Sequence, residues 1–248
     1  MQVLPGRRAV VDVAVAMACF LVSGSWILTA SHADAAYFLA AMGAGSAVLA
    51  NAAASIFNRK PRLTTAADRV TLVRAVLVAC GAATAVPALF TGTAPGMPVV
   101  VLGAAAFVLD AVDGAVARRL DCANPAGGRL DVQTDAALVL VLSCAAVPVV
   151  GPWVLVIGLM WYAFVVTGWF RPELKRTLPV KRLRKVIGAF QPFALLLALT
   201  PGVPGGVGIA AVALALVALA ASFVRDVVEL EQSHGKWTGR HSSTEMVN

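Results

Sequence analysis

Four aspartates in the stretch LDAVDGAVARRLDCANPAGGRLDVQTDA, residues 109–136, recur at helical spacing, Asp110 with Asp113 and Asp131 with Asp135. Residues three or four apart share one face of a helix, so each pair presents two carboxylates together. Gly114 and Ala117 lie on the face of the first pair and leave room beside it. The connection between the pairs is short, which makes the two helices antiparallel and brings four carboxylates to one depth. An all-oxygen set of this kind suits Mg²⁺, with Mn²⁺ next. No His or Cys stands beside the four at ligand spacing, which argues against zinc. Two divalent cations would balance four negative charges, and paired divalent ions are the usual device for displacement at phosphorus. A fifth aspartate, Asp121, lies off the pattern in the connection and reads as solvated.

The rest of the chain sets what these carboxylates cost. Of 248 residues, 59% are hydrophobic and 13% charged, with a mean hydropathy of +0.82. A soluble domain carries about a quarter charged residues, so the composition specifies an all-α integral membrane protein. A span needs roughly 20 apolar residues, and about eight such runs are present, at approximately 9–30, 35–57, 67–91, 97–119, 130–150, 153–170, 186–200 and 206–228. The loops alternate in charge. NRKPR (58–62), RRLDCANPAGGR (118–129) and RPELKRTLPVKRLRK (171–185) are basic, whereas SHAD, TGTAPGMP, VVGP and TPGVPGG are nearly uncharged. The positive-inside rule then puts both termini and every basic loop in the cytoplasm, in the plasma membrane of the cell. The net charge of +7 thus reads as topology and phosphate binding, with no nucleic-acid partner. Arg7 and Arg8 before an apolar run and SHA resemble a signal peptide, but a run of about 22 residues exceeds the 7–15 of a signal core, and the reading here is retention.

Smaller features follow. Cys19, Cys80, Cys122 and Cys144 show no CxxC pairing and read as small core residues. Trp153 and Trp169 bracket the sixth span, about 24 Å apart, as an aromatic belt or as two packed side chains. The end of the chain, EQSHGKWTGRHSSTEMVN, is polar and aperiodic and reads as disordered.

In such a chain each unpaired charge at a helix centre costs roughly 2.5–3.5 kcal/mol, less near the interface. Four approach about 10 kcal/mol before their repulsion is added. Salt bridges to Arg118, Arg119 and Arg129 as interfacial anchors are the plainest alternative to metals. A cation transporter is another, although its carboxylates spread over several helices near the midplane. A catalytically silent membrane scaffold is the third.

The full pattern, Asp110-x2-Asp113-Gly114-x2-Ala117-Arg118-x8-Gly127-x3-Asp131-x3-Asp135, resembles the signature of the CDP-alcohol phosphatidyltransferases. ADRVTLVRAV upstream also looks like the segment before that family's first core helix. The resemblance implies a six-helix catalytic core with two added N-terminal helices. It divides the chain into 1–62 (two-helix extension and basic loop), 63–230 (catalytic membrane domain) and 231–248 (polar tail). It further implies that Asp110, Asp113, Asp131 and Asp135 hold two divalent metals on the pyrophosphate of CDP-diacylglycerol, with Asp135 also the general base for an alcohol acceptor. Gly114 would admit the nucleotide, Arg118 would contact its phosphates, and Thr71, Arg74 and Asn124 would line its pocket. A homodimer is the family habit. The sequence departs from the commoner form at Val132, Ala136, Asn124 and Asp68, where Ser, a basic residue, Ser or Thr, and Asn are frequent. Arg182, Arg184 and Lys185 offer a site for a phosphorylated acceptor such as glycerol 3-phosphate or inositol phosphate; topology and attraction to anionic lipids explain them equally well.

Overall fold

The computed structural model describes the backbone of residues 5–31, 34–59, 64–120, 125–170 and 182–242, with side chains except at 5, 112–120, 125–127, 168–170, 182–185, 223 and 226–242. Within these residues the chain forms eight α-helices: α1 (Pro5–Ala30), α2 (Ala35–Phe57), α3 (Ala66–Thr91), α4 (Gly96–Leu120), α5 (Pro125–Val150), α6 (Leu155–Phe170), α7 (Arg182–Leu199) and α8 (Gly205–Ser242). Each apolar run expected from the sequence coincides with one helix. Five helices contain segments long and apolar enough to cross a bilayer, residues 6–30, 35–57, 66–91, 128–150 and 205–222. Those of α4, α6 and α7 are shorter: Gly96–Ala111, Pro152–Thr167 and Val186–Leu199. Apolar side chains such as Val22, Trp26, Leu39, Phe90 and Val217 are exposed on the outer faces, as lipid rather than water as solvent requires. This is a multi-pass membrane protein.

The centre of the bundle is α3, packed against α1, α2, α4 and α5. A helix at the centre of a bundle buries much of its surface, and most of what α3 buries is small: Ala75, Ala79, Ala82, Ala83, Ala85 and Ala88. Small residues let helix axes approach where no hydrophobic effect drives helices together in lipid. Its start is fixed by a capping box, in which Asp68 N–H donates to Thr65 Oγ1 (3.2 Å) and Asp68 Oδ2 accepts from Thr65 N–H (2.9 Å). Its end is closed by Gly92 at φ +69°, whose N–H reaches the Ala88 carbonyl at 3.0 Å.

Two expectations need correcting. The backbone of α8 continues helical to Ser242, so residues 231–242 of the tail are not irregular; a helix already nucleated adds one hydrogen bond per further residue, even past Gly235 and Gly239. Among the described cysteines Cys80 is buried, Cys144 half-buried and Cys19 exposed, so a core role does not extend to Cys19. Trp153 is partly buried in the core and its Nε1–H donates to the Val150 carbonyl at 3.0 Å, closing the end of α5. Trp169 has its side chain outside the described residues, as does Cys122 its whole residue.

Candidate active site

Asp110 lies towards the end of α4, Asp131 and Asp135 near the start of α5, and Arg74 about two turns into α3. The three helices meet there. One carboxylate oxygen from each of Asp110, Asp131 and Asp135 lies within 4.8 Å of the others. Arg74 is the hub: its Nη1 donates to Asp110 Oδ1 at 2.9 Å and Asp131 Oδ1 at 2.5 Å, and its Nη2 to Asp135 Oδ1. The guanidinium is 1% exposed, whereas the three carboxylates are 36–44% exposed. Arg74 therefore forms the floor and the carboxylates form the open rim.

Charge shows what the rim lacks. Two carboxylates about 4.8 Å apart repel by about 3–4 kcal/mol at an effective dielectric near 20. One guanidinium offsets one of three negative charges and leaves an excess of about two. The donors are all oxygen, each carboxylate meets Arg74 through Oδ1, and the rim is open. These residues fit a divalent cation of the Mg²⁺ or Mn²⁺ kind.

The remaining expected residues distribute as follows. Thr71 lies on α3 one turn before Arg74, buried, with Oγ1 donating to the Ala67 carbonyl at 3.1 Å. Asp113, Gly114 and Arg118 follow Asp110 on α4, but their side chains lie outside the described residues, as do Asn124 and Asp121 entirely. Arg182, Arg184 and Lys185 open α7, again with side chains outside the described residues. Arg129 is exposed, and the described counter-ion of Asp110, Asp131 and Asp135 is Arg74. The sequence reading missed that contact, although an arginine inside an apolar helix demands a carboxylate partner. It also missed Arg59, just after α2, whose Nη1 donates to Asp68 Oδ1 at 2.7 Å with both side chains buried. Charges in NRKPR count alike for topology, so nothing in the local pattern singles Arg59 out. Asp68, fully engaged by Thr65 and Arg59, is a structural carboxylate.

A family model described as CDP-alcohol phosphatidyltransferase matches residues 64–224. The chain belongs to that family. Comparisons with curated proteins and with solved structures return no match. The part matched to the CDP-alcohol phosphatidyltransferases begins just before α3 and ends within α8, so it contains the whole Arg74–carboxylate cluster. Helices α1 and α2, and Arg59, lie outside it.

Proposed function

We propose that this protein transfers the phosphatidyl group of CDP-diacylglycerol to a polar alcohol and releases CMP, in phospholipid biosynthesis. The observation that carries the reading is the open rim of Asp110, Asp131 and Asp135 over Arg74, inside the segment that matches the family. Asp113 completes the set of four ligands for two divalent cations, Mg²⁺ first and Mn²⁺ second. When bound, such ions neutralise the pyrophosphate and ease the departure of CMP.

The chain's own residues do the rest. Asp135 takes the proton of the acceptor hydroxyl as its oxygen bonds to the lipid-bearing phosphorus, and the bond from that phosphorus to CMP breaks. Arg74 holds the Oδ1 atoms of three carboxylates and so fixes which way their open sides point. Gly114 admits the nucleotide to the backbone of α4, Arg118 meets its phosphates, and Thr71 and Asn124 line its pocket. The catalytic unit is residues 63–230, working as a homodimer, with the extension 1–62 before it and the polar end 231–248 after it. Eight helices cross the plasma membrane with the site and both termini at the cytoplasmic face, where acyl chains stay in lipid and the acceptor arrives from water.

The acceptor is a polyol phosphate, such as glycerol 3-phosphate or inositol phosphate, held by Arg182, Arg184 and Lys185. Purified protein with labelled CDP-diacylglycerol and Mg²⁺ is offered these two, inositol, serine and phosphatidylglycerol in parallel. Turnover of the phosphorylated alcohols alone supports the basic-segment assignment; turnover of neutral ones alone sinks it. Mg²⁺-dependent CMP release separates the enzyme from a transporter or a silent scaffold. Asp135→Asn is expected to abolish CMP release with the fold intact, and substantial residual turnover would remove Asp135 as the base.

A further inference from the structure

The N-terminal pair α1–α2 grips one end of α3 through polar contacts. From α1, Asp12 Oδ2 accepts from Thr64 Oγ1 at 2.5 Å and from Arg69 Nε at 3.1 Å. From the end of α2, Arg59 Nη1 donates to Asp68 Oδ1 at 2.7 Å. The first contact uses Arg69, 58% exposed, and a pair that wet holds little. The second is of another kind: its side chains are 6% and 3% exposed. Moreover, Arg59 Nε and Nη2 are buried and have no hydrogen-bond partner among the described residues.

A buried ion pair that leaves two charged N–H groups unsatisfied is a poor source of stability, since desolvating both ions offsets much of their attraction. The best-attested use of such a pair is to specify one register among several that apolar packing would allow. Here the ambiguity is real. The seam between α2 and α3 is lined by small residues, Gly45 of α2 against Ala79 of α3 with Ala75 nearby, and small residues specify axial position weakly. The helix so held carries the guanidinium at the floor of the carboxylate rim. From Asp68 to Arg74 is about 9 Å along one rigid helix. A slide or rotation of α3 at Asp68 therefore moves Arg74 against Asp110, Asp131 and Asp135.

We infer that the Arg59–Asp68 pair is a register lock through which the N-terminal extension sets the position of α3, and with it the geometry of the carboxylate rim. Arg59 and Asp68 are positioning residues that act through Arg74. Only the activity consequence of this lock rests on the proposed phosphatidyl transfer; its effect on α3 does not.

The informative variant is the double substitution Arg59→Met with Asp68→Asn. It removes both charges yet keeps an oxygen at 68 to accept from Thr65, so the start of α3 stays capped. Spin labels replace the exposed Val73 of α3 and Val101 of α4, in full-length protein whose cysteines are changed to alanine. Metal-free protein with the native pair gives one narrow distance distribution. The double variant gives a broadened or shifted one at unchanged melting temperature, binds Mn²⁺ about tenfold more weakly by electron paramagnetic resonance, and loses kcat rather than KM. Arg59→Lys, which keeps a donor for Asp68, retains the native distribution. A double variant with the native distribution and native Mn²⁺ affinity would overturn the lock. Should even the unsubstituted protein bind no Mn²⁺, the metal reading fails, and the metal-free distances still decide the lock.

Discussion

Arg74 stands at a position that apolar sequence on both sides makes costly, and it remains because three carboxylates share it. Each alone would be a poor membrane residue; together they form a site in which one guanidinium faces three carboxylates, two positive charges short of neutral. In protein stripped of divalent ions by EDTA, Arg74→Met is expected to destabilise the fold by about 3–5 kcal/mol, the usual cost of removing one partner of a buried pair. Added Mg²⁺ or Mn²⁺ should restore more of the melting temperature in this variant than in the unsubstituted protein, because the ion replaces the missing positive charge. Equal shifts in both would show that Arg74 and the ions do not act on the same carboxylates. Calorimetry in detergent micelles reads this without any substrate.

At the scale of helices, glycine decides which pairs come close. A Cβ on Gly158 of α6 would lie 2.8 Å from Leu140 Cα of α5, and one on Gly208 of α8 2.8 Å from Ala198 Cα of α7. These obstacles are backbone and cannot turn aside. Gly158→Ala and Gly208→Ala are each expected to cost about 1–3 kcal/mol through overpacking, lowering the melting temperature. Metal affinity should be untouched, since neither helix carries a rim carboxylate. Gly188 of α7 has no described atom within 4 Å of its hypothetical Cβ, so Gly188→Ala should be neutral, or stabilising by about 0.5–1 kcal/mol through helix propensity. Thermal melts of the three variants side by side check the packing, and a destabilised Gly188→Ala would contradict it.

Across the whole molecule, the five ion pairs that link described residues between helices share one end of the bundle. Asp12 near the start of α1, Arg59 after α2, Thr65 and Asp68 at the start of α3, Asp110 late in α4 and Asp131 early in α5 are linked there by hydrogen bonds and ion pairs. The basic loops 58–62 and 118–129 belong to that same end by sequence. The proposed orientation puts that end on the cytoplasmic side, where the positive-inside rule places basic loops. Fluorescent protein fused after Asn248 should fold and fluoresce in cells, while alkaline phosphatase at the same point should stay inactive. The opposite pair of results would reverse the proposed orientation.

Much of this was legible in the residues themselves. Helix positions follow from apolar length, and the shared face of Asp131 and Asp135 from a four-residue spacing, both local properties that the chain carries wherever it folds. Partner choice across the bundle is not local. Arg74 meets Asp131 and Asp135 from 57 and 61 residues away, and Arg59 meets Asp68 only because α2 ends beside the start of α3. Those pairings depend on how each helix is rotated and how far it is advanced against its neighbours, which is settled by contacts across the bundle and which sequence spacing does not encode. Local pattern in the residues specifies a helical membrane protein with a carboxylate site of recognisable spacing. Packing across the bundle is what puts an arginine at the floor of that site, and a second arginine, outside the matched segment, in a buried pair with the helix that carries it.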